Sequence, residues 1–476
     1  MTPDANDLCV FAIKRGYIEN REVYCNSLYP FYLSLIDRYK NSPYASGIMR
    51  DYVYVNPKTD CSSLQDNDEV SFIPMPNVQE KNNSVHYDLV KYSTVKKGFT
   101  VFQRGDLIWA KITPCMQNGK SCLVDDMPTK VGFGSTEFHV IRKFNDKIYM
   151  PFLWAIFSDE DILKAAKATF SGSAGQQRVP ASFIEFFPAV IPEYKKQVLL
   201  VSNIEVQMKA NNEVLQKARF LLSGISAYVL DRLGISFSSS SRDVFYSTQF
   251  RNIDGRIDAD YYSPRFSSFR KQIEESQFHS VTIGELTDKI VTGFAAGKQD
   301  QADDLPDDQR VPHLRPFSIT PEGELSFETK KYVPKANLKP DDYCVKNEIL
   351  FNNTNSPELV GKTTVFDSDV VCAASNHMTR ITVKDGINPY YVAAFFNVLL
   401  SIGYWKLLCT NFNNQAGVNT ETLKKVRIPL PPKSIQDQIA NEIMQRRAQA
   451  NQLRKQAAKE WAEAKARFEK ELLGEI

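Results

Sequence analysis

No Cys-x-x-Cys occurs among the eight cysteines, at 9, 25, 61, 115, 122, 344, 372 and 409, and none lies near a histidine pair at zinc spacing. That argues against zinc-finger and thioredoxin-like readings and suits a reduced, intracellular chain with scattered thiols. Histidine is scarce, with five residues at 86, 139, 279, 313 and 377, and no carboxylate or cysteine stands at ligand spacing from them. No resident metal is expected. Charge of one sign is also missing: 58 basic residues meet 56 acidic ones, for a net charge of +2. A uniformly basic coat for nucleic acid is thereby excluded, and DNA binding would need segregated charge or help from partners. The opening MTPDANDLCVF has neither the basic head nor the apolar core of a secretion signal, so a cytoplasmic location is expected. The uncharged run over 387–404, INPYYVAAFFNVLLSIGY, approaches the length of a membrane span, but Asn388, Pro389 and Asn397 interrupt it. It reads as a buried helix.

Catalytic signatures are missing too. SPELVGKT over 356–363 ends like a phosphate-binding loop, yet Ser356 stands where the first glycine is required to wrap phosphate in backbone amides. NPYY over 388–391 has one proline too few for an amino-methyltransferase motif, and no glycine-rich cofactor loop accompanies it. Pro389 suits the first turn of a helix. VGFGS over 131–135 is a lone glycine pair, better read as a turn. The chain is expected to catalyse nothing by itself and to hold no cofactor.

What is present is a repeat. Residues 104–124, RGDLIWAKITPCMQNGKSCLV, align ungapped with 346–366, KNEILFNNTNSPELVGKTTVF, at a shift of 242. Asp106 falls on Glu348, Trp109 on Phe351, and Gly119-Lys120 on Gly361-Lys362. GSTEFHVI over 134–141 matches ASNHMTRI over 374–381 at 240, and FPAVIPEYKKQ over 187–197 matches IPLPPKSIQDQ over 428–438 at 241. The Tyr-rich stretch at 21–32 resembles 256–266 at about 234. A persistent shift means two tandem copies of one unit.

Each copy has the same order of parts. Short alternating or aromatic runs broken by Gly, Pro and Asn predict β-rich bodies with a few helices. An uninterrupted helical pattern then follows. In copy one, Val201, Met208, Leu215, Leu222 and Val229 recur every seven residues, with Ile204, Asn211, Ala218 and Ile225 three positions later. This a/d seam predicts a helix over 193–234, ended by Gly234 and the serines at 238–241. In copy two, Ile439, Ile443, Ala450, Leu453, Ala457, Trp461, Ala464, Phe468 and Leu472 share one face. Helices of this length, on the order of 60 Å, are too long to pack on one small body, so they are expected to pair antiparallel. ARF recurs at 218–220 and 466–468 at a shift of 248, which would make the helices differ by one heptad.

The run GDLIWAKITPCMQNGK at 105–120 followed by GFGSTEFHVI at 132–141 resembles the first target-recognition domain of type I restriction-modification specificity subunits. RIDADYYSPRF at 256–266, KNEILF at 346–351 and IPLPPKSIQDQIANEI at 428–443 are similar to the second half of that family. Copy one departs from it at FPAVIPEYKKQ, where the family prefers a proline-rich stop. The resemblance implies an α+β chain: a target-recognition domain over 1–192, a helix over 193–234, a second target-recognition domain over 235–433 and a helix over 434–476, the two helices forming an antiparallel coiled coil. It implies a non-catalytic reader of double-stranded DNA, each domain reading one half of a bipartite site. The helices would set the spacer and dock two methyltransferase subunits, and two motor-nuclease subunits would complete the complex. S-adenosylmethionine and ATP would sit on those partners.

Polar loop residues able to bond base edges or phosphates are the candidate contacts. In copy one these are Lys111, Asn118, Lys120, Gln176, Gln177 and Arg178; in copy two, Asn353, Asn355, Lys362, Asn413, Asn414 and Gln415. Three other readings stay open from sequence: a specificity subunit of a methyltransferase-only or other phage-defence complex, a protein-binding coiled-coil scaffold, and an enzyme carrying its own methyltransferase or nuclease.

Overall fold

The computed structural model describes residues 30–172, 177–237, 246–248, 253, 258–297, 300, 302, 304–328, 331–412 and 415–475. It divides into two compact units, Met1–Val214 with Lys455–Ile476, and Leu215–Arg454.

Both units are built on a four-stranded antiparallel sheet. In the first, Val53–Val55, Phe138–Lys143, Leu107–Ala110 and Ser121–Leu123 lie side by side in that order. In the second the order is Thr287–Thr292, Met378–Val383, Ile349–Asn352 and Thr363–Val365. The central strand, LIWA in one and ILFN in the other, is fully buried. That accounts for runs of consecutive large residues where a half-exposed strand would alternate. Its register repeats: Leu107 faces Ile141, and Ile349 faces Ile381. The first unit adds a sheet in the order Asp88–Lys91, Glu69–Ile73, Val131–Gly134, Thr100–Gln103. In the second, smaller sheets of Tyr332–Pro334, Arg310–Leu314 and Ala373–Ala374, and of Thr354–Asn355, Gln415–Gly417 and Thr410–Phe412, take this peripheral role.

The uncharged run forms the helix Pro389–Ser401, with the Asn388 side chain capping its first turn and eight of its residues buried. Its counterpart is Met150–Phe157. Among the described residues no helix is long and apolar enough to cross a membrane.

Each core holds an indole, from different elements. Trp109 on the central strand donates Nε1 to the Phe157 carbonyl at 3.0 Å. Trp405, on the helix Tyr404–Leu408, donates to the Phe396 carbonyl at 2.8 Å. Phe157 and Phe396 are repeat mates, whereas the mate of Trp109 is the smaller Phe351, which packs on Trp405 with ring centroids 4.9 Å apart. Trp405 thus fills volume that the smaller strand residue leaves. Gly361 admits it: a Cβ there would lie 2.0 Å from Trp405 Cδ1, and its φ of +96° suits glycine.

A buried acid-arginine pair also recurs. Arg142 donates Nε and Nη2 to the two Asp106 oxygens at 2.7 and 2.7 Å, from the position directly opposite in the ladder. Arg380 donates to Glu348 at 3.0 and 2.9 Å from a diagonal position. The extra methylene of Glu348 supplies the longer reach.

The long helices run Tyr194–Ser223, continued by Ile225–Arg232, and Lys433–Leu473. Burial falls on the expected face, including Val201, Ile204, Ala218 and Val229 in the first and Ile443, Ala450, Ala457 and Phe468 in the second. Within the first unit, Leu200, Val201 and Ile204 share a core with Phe468 and Leu472. Within the second, Arg232 donates to Gln438 at 2.8 Å, Arg446 donates to the Gly224 carbonyl at 3.4 Å, and its guanidinium lies 4.7 Å from the Tyr228 ring centre.

Two features of the repeat alignment differ in the structure. Gln197 donates Nε2 to the Pro192 carbonyl and accepts from the Tyr149 amide, while Gln436 donates to the Pro431 carbonyl and accepts from the Asn388 amide. The shift across this boundary is therefore 239 rather than 241, because these buried amide contacts hold the register where sequence identity is low. The ARF recurrence also falls: Ala218 is buried but Ala466 exposed, and the buried counterpart of Ala218 is Ala457. Shift 239 carries Val201 to Ala440, Ile204 to Ile443, Val229 to Phe468 and Leu233 to Leu472, all buried. The helices do not differ by a heptad.

Candidate nucleic-acid interface

The chain that leaves each central strand and returns as its hairpin partner forms the candidate interface. It spans 111–120 in the first unit and 353–362 in the second. Backbone bonds hold its start between two other segments. The Lys111 amide donates to the Glu137 carbonyl at 2.9 Å, and the Lys111 carbonyl accepts from the Val179 amide at 2.9 Å. The Asn353 amide donates to His377 at 3.0 Å, and its carbonyl accepts from Val418 at 2.9 Å. The second flanking segment is a hairpin in both units. Ser171 pairs with Arg178, and Thr410 pairs with Gly417, again at a shift of 239. The loop and hairpin groups, distant in sequence, therefore meet in each unit.

In the first unit these groups carry their own acids. Arg178 donates Nε and Nη2 to the Glu137 oxygens at 2.8 and 2.7 Å. That hydrogen bond holds the Glu137 carboxyl below its ordinary range, helped by Lys111. The Arg178 side chain is 40% exposed. Lys111 and Gln177 are half-buried, and the Gln177 carbonyl accepts from the Thr113 amide at 3.0 Å. Asn118 is exposed and donates to Glu80 at 2.8 Å, while Lys120 donates to the Met75 carbonyl at 3.1 Å. Gln176 lies outside the described residues.

The second unit differs. Asn353 is buried and donates to the Asn376 carbonyl and Thr379 Oγ1 at 3.2 and 3.0 Å. Its amide is used inside the fold. Asn355 is half-buried and accepts from the Ser356 amide at 2.8 Å. Gln415 is exposed at the end of a hairpin strand, and Asn413 and Asn414 lie outside the described residues. Lys362 is 8% exposed. No carboxylate lies within ion-pair distance of it among the described residues, and burial lowers its pKa.

Sequence reasoning passed over Glu137, because an acid is a poor first guess beside DNA. It also passed over two buried histidines. His139 donates Nε2 to the Val179 carbonyl at 2.9 Å, with Nδ1 3.0 Å from the Asn56 amide nitrogen, and burial lowers its pKa to about 4. His313, 3% exposed, is likewise lowered to about 4 by burial, with Arg315 adding to the shift. Among the described residues no group of three or more His, Cys, Asp or Glu side chains is placed to hold a metal ion. The arrangement offers hydrogen-bond donors and acceptors on hairpin and loop ends, which suits recognition of a polar polymer.

Part of this chain is similar to known proteins. Residues 275–460 match the family model of the type I restriction modification DNA specificity domain. That match lies in the second half of the chain, and the resemblance to type I restriction-modification specificity subunits is borne out by its relatives. It is 36% identical over 181 residues to the specificity subunit of the Escherichia coli type I restriction enzyme EcoAI, covering 38% of this chain and 30% of that one. It is 34% identical over 155 residues to the EcoEI specificity subunit of the same species, covering 32% and 26%. The matched part spans less than a third of either relative. A crystal structure of an HsdS subunit from Thermoanaerobacter tengcongensis aligns over 91% of this chain and 96% of that one, at 16% identity and a TM-score of 0.34.

Proposed function

We propose that this chain is the DNA specificity subunit of a type I restriction-modification complex and catalyses nothing itself. The target-recognition domains at 1–192 and 235–433 each read one half of a bipartite site in double-stranded DNA. The helices at 193–234 and 434–476 pair antiparallel as a coiled coil, set the unread spacer and dock two methyltransferase subunits. S-adenosylmethionine is held by those subunits, and ATP by two motor-nuclease subunits where these are present. The observation that carries this reading is the repeated junction: a loop locked between a strand end and a hairpin at Lys111 and again at Asn353. Two similar readers in one chain suit two half-sites. Support for the helix pairing comes from the contact at Arg232 and Gln438 and the one at Gly224 and Arg446, whose residue numbers sum to the same value, as in an antiparallel pair.

Binding of the purified chain, with its methyltransferase subunit, to random duplex DNA at rising salt tests the reading. Contacts to several phosphates make the logarithm of affinity fall linearly with the logarithm of salt, by about 0.9 per phosphate. Absence of binding at low salt would reject it.

A further inference from the structure

The turn at 320–324 of the second unit is wedged against the helix Lys433–Leu473. Asn451 Nδ2 donates to both Glu324 oxygens at 3.1 and 3.1 Å, and Arg454 Nη2 donates to Glu322 at 2.7 Å. Between the two acids, Gly323 sits so close that a Cβ would lie 2.9 Å from Arg447 Nη2 and 2.7 Å from Asn397 Nδ2. Burial lowers the pKa of Arg447, and Glu324 and Glu322 act against that shift.

The repeat shows how unusual these arginines are. At the shift of 239, Arg447 and Arg454 occupy the seam positions filled by Met208 and Leu215 in the first helix. Two heptad positions that should be apolar are cationic, opposite two acids from the body. The first unit has a turn at the matching place, one residue longer (Gln79 to Ser84 against Thr320 to Glu324) and without that chemistry. There Asn212, the mate of Asn451, donates to Asn82 at 3.1 Å, and the turn carries Lys81 beside it. Lys81 bonds Glu160 at 2.9 Å instead.

We infer that Glu322, Glu324, Arg447, Asn451 and Arg454 form an ionic clasp that fixes the angle of the second recognition body on its helix, and so selects the spacer lengths at which its half-site is read. The clasp is a set of positioning residues. Its role in spacer selection rests on the DNA-reading function proposed above, whereas the clasp as an attachment of body to helix does not. A partly buried pair with one partner reversed leaves two like charges facing each other. Exchanging both restores the attraction.

The test uses the full chain with its methyltransferase subunit, as wild type, E322R, R454E and the double exchange E322R/R454E. Methylation is sequenced on a plasmid library that holds the half-sites constant and varies the spacer. The singles are expected to lose methylation at the native spacer by roughly tenfold, or to gain neighbouring spacers, and the double exchange to return to the wild-type spacer set. Hydrogen exchange of 319–325 and 443–457 is measured on the same proteins, and both segments should exchange faster in the singles and recover in the double. Singles with wild-type spacer sets overturn spacer selection, and singles with unchanged exchange overturn the clasp itself. Singles that fail at every spacer, with a double exchange that does not recover, also overturn it. A wild type that methylates no bipartite site would reject the reader while leaving the exchange result to judge the clasp.

Discussion

Arg178 and Glu137 bind through two parallel hydrogen bonds, Nε to Oε2 at 2.8 Å and Nη2 to Oε1 at 2.7 Å. The pair joins Arg178, itself bridged to Ser171, to the turn before the strand Phe138–Lys143 and fixes the plane of the guanidinium. Lysine cannot reproduce that geometry. On the proposed function, Arg178→Lys and Glu137→Gln should each relax discrimination at one base pair of one half-site, by about 10- to 100-fold, and leave the other half-site unchanged. Competition binding on duplexes altered one base pair at a time checks this. Equal losses across all duplexes would assign Arg178 to phosphate contact instead.

Lys362 separates a structural from a binding role in the second unit. It is 8% exposed without a carboxylate partner among the described residues, so methionine should be accepted without loss of thermal stability. If its ammonium meets a phosphate, Lys362→Met should also lower the salt slope of DNA binding by about 0.9. An unchanged slope would make Lys362 a residue of the fold alone.

Acid should weaken the first unit through His139. Its pKa is lowered to about 4 in the folded chain, first by burial, against an ordinary value near 6.5. Between those values the unfolded chain binds the proton and the folded chain does not. Stability is therefore fully present above about pH 6.5 and is lost as pH falls toward 4, by on the order of 1–3 kcal/mol. Urea unfolding from pH 7.5 to 4.5 should show this decline, and His139→Gln should flatten it.

Gly361 should accept no side chain. A methyl group there would meet Trp405 at 2.0 Å, on a backbone with φ of +96°. Gly361→Ala is expected to cost about 3 kcal/mol or more. Gly361→Ala combined with Trp405→Phe should recover part of that loss, measured by denaturant unfolding.

Much of this architecture is legible in the residues. Short runs broken by Gly, Pro and Asn mark β-rich bodies, Pro389 a helix start, and the seven-residue spacing from Val201 a long helix. The repeat shows because Gly119-Lys120 and Gly361-Lys362 return in one register. What stayed hidden depends on contacts in space. Whether the amide of Asn353 points inward is decided by Thr379, a residue twenty-six positions away. Glu137 carries no signal by itself and acquires one only when Arg178 folds onto it. Arg447 and Arg454 read as gaps in the apolar seam until the acids at 322 and 324 stand opposite them. The short ARF match misled because identity of three residues says nothing about which side of a helix is buried.

Single-molecule methylation sequencing of DNA from cells expressing this chain with its methyltransferase subunit is the most direct measurement. A bipartite motif with a fixed spacer and N6-methyladenine in each half is the expected result. A continuous motif, or no new methylation from a complex shown to assemble, would contradict two readers held apart by paired helices.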